Sequence, residues 1–305
     1  MILLWGIVGD EPLDMVRLAL ERQGRQYTFL DQQRVENTSL DLEIGTTVGG
    51  HLVTPEFAVN LREVCAIYLR PYDSRRMRAV ERAAPNNPLL RHALNLEDSL
   101  LSWVEVTPSL VLNRPSAMAS NNSKPYQSKF IQASGFCVPD TLVTTDVEAT
   151  IAFWEQHRDI IYKSVSGVRS IVSRLKDSHR ARLPDIANCP TQFQEYIPGN
   201  DWRVHVVGED AFACEVISDA DDYRYAGRSG NAVEIYSRNL PPDVGDCCIR
   251  IAKMLRLPLC GIDLRRTPAG AWYCFEANPS PAFSFYEMST GLPIADAVAR
   301  FLAQQ

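Results

Sequence analysis

The sequence predicts a mixed fold in which an N-terminal α/β region is followed by α+β structure. Up to about residue 110, apolar strand-like segments alternate with helical ones. Beyond about residue 190 we expect strands, a polar loop, a helix, a hairpin and a final helix. Between them, proline, asparagine and serine break the alternation in "LNRPSAMASNNSKPY", which is typical of a domain boundary. We therefore expect three parts, at residues 1–110, 111–190 and 191–305.

Four short segments predict the α/β region. The strand-like segments are "ILLWGIV", "YTFL" and "CAIYLRPY", and "DMVRLALERQG" has apolar residues at helical spacing. The first of these segments lacks the basic leader of a signal peptide, so we interpret it as the first strand.

Composition excludes several classes of function. The chain has 305 residues, of which 46% are hydrophobic and 22% are charged, as in an ordinary globular protein. A net charge of −6 argues against general nucleic-acid binding. No apolar run approaches the roughly 20 residues that a membrane span needs. We therefore expect neither nucleic acid nor a membrane as a partner.

The eight cysteines are scattered and form no CxxC pair. Reduced thiols in a cytoplasmic protein explain such a set better than a metal or redox role does. The sequence is also compatible with a homo-oligomer such as a dimer.

The segment Gly261–Phe283 predicts a hairpin with an unusual polar face. Thr267-Pro268-Ala269-Gly270 suits a tight turn, and a turn centred there would place Asp263 opposite Cys274. Strand side chains repeat on one face every second residue. Asp263, Glu276 and Asn278 are therefore expected to share a face.

Two carboxylates on one face repel each other unless a cation lies between them. Oxygen donors suit Mg²⁺ far better than zinc, so the hairpin is a candidate magnesium site. The alternative is a hairpin edge with solvated acids. The magnesium hypothesis therefore requires nucleotide-binding residues elsewhere in the chain.

A first basic candidate lies in "IYKSVSGVRSIVSRL". Lys163 ends an apolar strand-like run, where an unpaired charge is costly to bury. Ser166 and Gly167 belong to a hydroxyl-rich turn whose N–H groups suit phosphate oxygens, and Arg169 adds a second positive charge. The alternative is a lysine that extends to solvent at a strand end.

Two further candidates complete a nucleotide site. In "TQFQEYIPGNDWRVHVVG", the backbone between two strands can contact adenine, Asp201 can bind ribose, and Arg203 shares the face of Asp201. The alternative is a surface hairpin with a neighbouring Asp–Arg pair. Lys124 lies near the start of a predicted helix, where N–H groups and the dipole favour anions.

Taken in order, these residues resemble the ATP-grasp superfamily, and most closely its RimK-type, glutathione synthetase-like carboxylate–amine ligases, which include ribosomal peptide maturases. The resemblance covers about residues 111–305 and implies an ATP-grasp fold behind a Rossmann-like pre-ATP-grasp domain. One departure is the loop after Lys163, which has Gly167 as its single glycine where the family has two or three. The matching segments are "GFCVPDTLVTT", "QEYIPG", "RVHVVG", "GIDL" and "FEANPSP".

The resemblance also implies a role for each candidate. ATP and Mg²⁺ are the implied cofactors, with Mn²⁺ as a substitute. Arg203 would steady the acyl phosphate, and Lys163 would join it in catalysis. The implied nucleotide contacts are Lys124, Lys163, Ser166 and Gly167 for phosphate, Gln194, Glu195, Tyr196 and Ile197 for adenine, and Asp201 for ribose, while Asp263, Glu276 and Asn278 would bind the metal.

The implied reaction activates a carboxylate as an acyl phosphate, which an amine or hydroxyl of an amino acid or peptide then attacks. A small-molecule or peptide substrate is therefore expected. A kinase of the same fold and a non-catalytic nucleotide-dependent binding module are the alternatives. Arg169, together with Arg224 and Arg228 in the long polar segment "SDADDYRYAGRSGNAVEIYSRN", is a candidate for binding a substrate carboxylate, although that segment also fits a solvated loop.

Overall fold

The computed structural model describes residues 1–77, 80, 87–165, 172–218 and 232–304. The N-terminal part of the chain forms a parallel four-stranded sheet. Its strand order is β2-β1-β6-β7, and β1 is buried along its whole length. Helix α1 covers one face and α2 covers the other, as buried parallel strands require. The elements are β1 (Ile2–Gly6), α1 (Glu11–Arg22), β2 (Tyr27–Asp31), β6 (Ala66–Leu69), α2 (Pro88–Val106) and β7 (Leu110–Leu112).

A small antiparallel sheet lies between β2 and β6 in the chain. It has the order β3-β4-β5, and its apolar residues pack with α2 in the second core of this region. Its strands are β3 (Ser39–Ile44), β4 (Val48–Val53) and β5 (Ala58–Asn60), and short 3₁₀ helices occupy Gln32–Asn37, Leu61–Glu63 and Ser74–Arg76.

A second four-stranded sheet, antiparallel throughout, follows a helical connection. Its order is β10-β9-β11-β8, and α5 and a 3₁₀ helix pack on the face that carries Ile160 and Phe193. The elements are α3 (Pro115–Met118), a 3₁₀ helix (Ala119–Asn122), α4 (Lys124–Ala133), β8 (Thr141–Thr144), α5 (Val147–His157), β9 (Ile160–Ser164), β10 (Ser173–Arg174), a 3₁₀ helix (Asp177–Asn188) and β11 (Thr191–Glu195).

The last sheet has five antiparallel strands in the order β14-β13-β12-β15-β16. Trp202, Val204 and Ile262 lie on its apolar face, which α6 covers, because alternate side chains point to opposite faces. The elements are β12 (Asn200–Val207), β13 (Asp210–Ser218), β14 (Val233–Arg238), α6 (Pro242–Met254), β15 (Leu259–Arg266), β16 (Trp272–Asn278), α7 (Ser284–Thr290) and α8 (Ile294–Ala303).

Helix α8 joins the first sheet to the last. Its apolar face packs with α1 and with residues of β1 and β6, and Val207 and Leu259 extend the same core into the five-stranded sheet. Arg22 and Asp296 form an ion pair of 2.9 Å beside this contact. Among the helices that the structure describes, none has the length and apolar composition to cross a bilayer.

The predicted hairpin is present, but its predicted register is wrong. Asp263 pairs with Glu276 instead of Cys274. One residue of the difference arises in the connection, where Gly270 N–H donates to the Thr267 carbonyl (2.8 Å) and Arg266 pairs with Trp272. The second comes from a β-bulge, because the register shifts again between Leu264 and Asp263. Two one-residue shifts add to two, and therefore the side chains remain on the predicted face.

Candidate active site

The polar face of the five-stranded sheet carries two crossed ion pairs. Asp201 lies opposite Arg265 and Arg203 lies opposite Asp263 on the central strands β12 and β15. Arg265 Nη2 lies 2.7 Å from Asp201 Oδ1, and Arg203 Nη1 lies 2.6 Å from Asp263 Oδ1. The alternative interpretation of the sequence paired Asp201 with Arg203 on the same strand. In the structure each of these residues instead pairs with the oppositely charged residue directly across from it on β15.

The three predicted metal ligands are neighbours on this face. Asp263 and Glu276 are directly opposed residues, and Asn278 Nδ2 donates to Asp263 Oδ2 at 3.3 Å. Lys124 Nζ, at the first residue of α4, lies 3.0 Å from Glu276 Oε1. Each carboxylate thus contacts a cation, which offsets the repulsion expected for two acids on one face.

The donor chemistry of this cluster fits a divalent cation. Asp263, Glu276 and Asn278 offer carboxylate and amide oxygens from two adjacent strands, and hard oxygen donors suit Mg²⁺ and Mn²⁺. Their side chains border the polar face while the apolar face beneath is sealed by α6. These residues could therefore hold a metal ion next to Lys124 and Arg203.

Arg203 occupies a narrow slot. The residue is only 6% exposed, and its Nε donates to His205 Nε2 at 3.3 Å. Its guanidinium lies 5.6 Å from the centre of the Tyr286 ring. Gly261 forms the floor of the slot, because a Cβ atom there would lie 2.2 Å from Arg203 Nη2 and 2.7 Å from Pro281 Cβ.

His205 is completely buried beside this guanidinium. Burial is the main cause that lowers the pKa of His205 well below its usual value, and the positive charge of Arg203 lowers it further. The ring is therefore neutral and can accept the hydrogen bond from Arg203. His205 was not singled out in the sequence, although its position two residues after Arg203 places it on the same face.

The connection between the last two sheets is held from both sides. Glu195 N–H donates to the Asp140 carbonyl (3.0 Å), and Tyr196 N–H donates to the Asp159 carbonyl (2.9 Å). Arg265 Nη1 donates to the Ile197 carbonyl at 2.8 Å. Arg265 thus fixes both this connection and Asp201, a role that sequence reasoning missed although the period of two puts Arg265 on the face of Asp263.

The antiparallel sheet brings Lys163 and Gln194 to one face. Lys163 lies opposite Gln192, two residues from Gln194, and the apolar core with α5 occupies the other face. Gln194 is buried and its Nε2 donates to Thr141 Oγ1 at 3.0 Å. Lys163 is half-buried at the end of β9.

Asn113 ties the helical connection to the two strands that carry the predicted metal ligands. It is 2% exposed, and its Nδ2 donates to the carbonyls of Leu259 (2.6 Å) and Pro279 (2.5 Å). Pro279 directly follows Asn278, so this amide holds the end of β16. The remaining predicted residues, Ser166, Gly167, Arg169, Arg224 and Arg228, lie outside the described residues.

Comparison with known proteins finds ATP-grasp ligases among the similar proteins. The sequence model of a RimK-like ATP-grasp domain matches residues 123–302. A ribosomal protein bS6–L-glutamate ligase from Escherichia coli O81 (strain ED1a) is 26% identical over 213 residues, covering 66% of this chain and 70% of that protein.

Two solved structures superimpose on almost the whole chain. A RiPP-associated ATP-grasp ligase from Chryseobacterium gregarium, in complex with ADP and a leader and core peptide, has a TM-score of 0.85 at 21% identity and covers 99% of this chain and 96% of that one. The ATP-grasp ligase PsnB, with a phosphomimetic variant of its minimal precursor, Mg and ADP, has a TM-score of 0.83 at 26% identity, with 99% and 97% covered. The predicted ATP-grasp fold and RimK-type resemblance are confirmed.

Proposed function

We propose that this chain, which belongs to the RimK-like ATP-grasp family and is an ATP-dependent carboxylate–amine ligase, activates a carboxylate of a peptide substrate as an acyl phosphate. An amine or hydroxyl then attacks the acyl carbon and phosphate leaves. The observation that carries the proposal is the polar face of the five-stranded sheet, where Asp263, Glu276 and Asn278 adjoin Lys124 and Arg203.

The nucleotide would lie between the two antiparallel sheets. We assign adenine to the backbone of the connection from Gln194 to Ile197, and ribose to Asp201, which Arg265 orients. Lys163 and Lys124 would bind the phosphates from opposite sides, since charge-assisted hydrogen bonds are the strongest contacts available to phosphate. Ser166 and Gly167 remain proposed phosphate contacts on the basis of the sequence.

Asp263, Glu276 and Asn278 would hold the metal ion, which supplies positive charge to the phosphoryl oxygens when bound. In the structure, Lys124 contacts Glu276 and Arg203 contacts Asp263. Both cations would therefore lie within reach of the anionic group that forms during transfer. Arg203 would stabilise the acyl phosphate by a fixed, largely desolvated positive charge, and Lys163 would stabilise the phosphoryl group in transfer.

The proposed substrate is a peptide. Of the two superimposed ligases, one was solved with a leader and core peptide and the other with a variant of its minimal precursor. Arg169, Arg224 and Arg228 are proposed to bind carboxylates of this peptide, on the basis of the sequence alone. The three-part division at residues 1–110, 111–190 and 191–305 is likewise a proposal, supported by the separate sheets. The free cysteines favour a reducing compartment such as the cytoplasm.

Trapping the intermediate tests the reaction. The protein is incubated with ATP, Mg²⁺, hydroxylamine and a library of short peptides that contain aspartate and glutamate. We expect a peptide hydroxamate, together with ADP and free phosphate in equal amounts, because hydroxylamine attacks the acyl carbon and releases phosphate.

Two other products would contradict the proposal. A stable phosphorylated product with no hydroxamate would indicate a kinase. AMP and pyrophosphate would indicate an adenylate. When residues of the polar face are substituted in this assay, Arg62→Ala is a suitable control, because this arginine is exposed and pairs with Glu43 in the small N-terminal sheet.

A further inference from the structure

His205 makes a directed contact with the guanidinium of Arg203. The two residues lie on the same face of β12, and Arg203 Nε donates to His205 Nε2 at 3.3 Å. His205 is 0% exposed, and its ring lies 5.1 Å from the ring of Tyr286 and 6.4 Å from that of Phe283. An aromatic, water-excluding environment therefore surrounds the contact.

We propose that His205 is a positioning residue that fixes the plane of the Arg203 guanidinium by accepting its Nε–H, so that the Nη edge faces the transferring phosphoryl group. This inference rests on the proposed role of Arg203 in the ligase reaction. The ion pair of Nη1 with Asp263, at 2.6 Å, fixes one point of the guanidinium. The contact at Nε adds a second fixed point on the opposite side of this planar group, which resists pivoting about the ion pair.

Only one protonation state of His205 can do this. A ring that accepts at Nε2 is neutral and carries its proton on Nδ1. A protonated ring would instead direct an N–H at the N–H of a cation. Complete burial and the charge of Arg203 both disfavour the protonated form, which agrees with the lowered pKa of His205.

The surrounding residues are shaped for the same orientation. Gly261 lies opposite His205 on β15, and a Cβ atom there would overlap Arg203 Nη2 and Cζ. Tyr286 closes the slot with its ring 5.6 Å from the Arg203 guanidinium. The slot therefore leaves the guanidinium little space, and the hydrogen bond from Nε to His205 fixes its orientation within that space.

The tautomer of His205 in the unaltered full chain is the first test. With Mg²⁺ and ADP present, ¹⁵N shifts of the histidine ring should show a proton on Nδ1 and none on Nε2. The Nε–H of Arg203 should give a slowly exchanging signal. A ring protonated on Nε2 overturns the proposal, and this result requires no variant.

Two substitutions provide the second test. His205→Gln keeps an acceptor near the position of Nε2, whereas His205→Leu keeps an apolar volume without one. We expect Arg203 Nε–H exchange to be at least about tenfold faster in the Leu variant than in the Gln variant, as for the loss of one hydrogen bond. Hydroxamate formation from the peptide library should fall by a similar factor in kcat, with ADP affinity unchanged. His205→Gln should restore both.

Each failure has a separate meaning. Exchange or hydroxamate formation in His205→Leu at the wild-type rate overturns the role of His205. If the wild-type protein forms no hydroxamate with any peptide, the proposed reaction is wrong, while the exchange experiment still decides whether His205 orients Arg203. If His205→Leu does not fold, the tautomer in the wild-type protein decides the question alone.

Discussion

Replacing Gly261 by alanine should displace Arg203, and the three atoms nearest to the added Cβ belong to Arg203 and Pro281, neither of which is proposed to contact nucleotide. The added Cβ would lie 2.2 Å from Arg203 Nη2, 2.7 Å from Arg203 Cζ and 2.7 Å from Pro281 Cβ. Contacts under 3.0 Å do not persist, so the guanidinium or the Pro281 segment must shift. Because His205, Tyr286 and Asp263 surround the guanidinium on its other sides, the slot has little room to absorb the change.

The magnitude follows from the contacts that are lost. Overpacking of a closed site costs typically about 1–3 kcal/mol. Loss of the charge-assisted contact between Arg203 and Asp263 costs about 1.5–3 kcal/mol, and these two effects overlap because one movement causes both. We therefore expect the free energy of unfolding to fall by roughly 2–3 kcal/mol. Hydroxamate formation should fall by about tenfold or more, whereas ADP affinity should change little.

The assay compares two glycine substitutions by urea unfolding and hydroxamate formation. Gly245 lies in helix α6 with no atom within 4 Å of an added Cβ, so Gly245→Ala should be neutral or stabilising by up to about 1 kcal/mol. If Gly261→Ala is as stable and as active as Gly245→Ala, the close packing of Arg203 against Gly261 does not position the guanidinium, and the proposed slot is contradicted.

Three further substitutions test other parts of the site. Glu276→Gln should abolish ATP turnover, because it removes one anionic ligand of the proposed metal site. Thermal unfolding should be nearly unchanged, because the side chain is partly exposed. Normal turnover would exclude the metal site. Lys163→Ala should weaken ADP binding by about ten- to a hundredfold in a titration, and Lys129→Ala, at an exposed position, is the control. Equal ADP affinities for the two variants would indicate that Lys163 extends to solvent and does not bind phosphate. His205→Gln should remove a pH dependence of unfolding, because the folded protein keeps His205 neutral while the unfolded chain binds a proton below about pH 6.5. The free energy of unfolding of the wild-type protein should therefore fall by up to about 1.4 kcal/mol for each pH unit by which the pH is lowered below that value. Identical slopes for both proteins would contradict the buried neutral ring.

Local periodicity was sufficient to predict the hairpin, its polar face and the start of α4. The turn at Thr267–Gly270 and the common face of Asp263, Glu276 and Asn278 depend on residues within one hairpin, and the structure has both. Lys124 begins α4 as expected, with Ser123 as its N-cap. These features are encoded by side chains that are neighbours in the chain.

Features that depend on distant residues could not be predicted in this way. The bulge shifts the pairing of β16 with β15 by one residue, and the ring of Phe275 lies 5.3 Å from the Arg265 guanidinium. The hairpin sequence alone does not specify this packing. The partner of Arg203 depends on the pairing of β12 with β15, whose residues are about 60 positions apart. Asn113 gave no signal because its contacts join the carbonyls of residues more than 140 positions away.

The crossed arrangement of charges has a consequence for how the site forms. Asp201 and Asp263 are two residues from Arg203 and Arg265 respectively, yet each acid pairs with the arginine of the opposite strand. Slipping β12 against β15 by two residues would leave Asp263 opposite Asp201 or Arg203 opposite Arg265, and like charges directly opposed are destabilising. Hydrophobic alternation alone does not distinguish these registers, because a shift of two residues keeps every apolar side chain on its face. The ion pairs therefore specify which register forms. The same charges that would serve the reaction thus also select the strand alignment that brings them together.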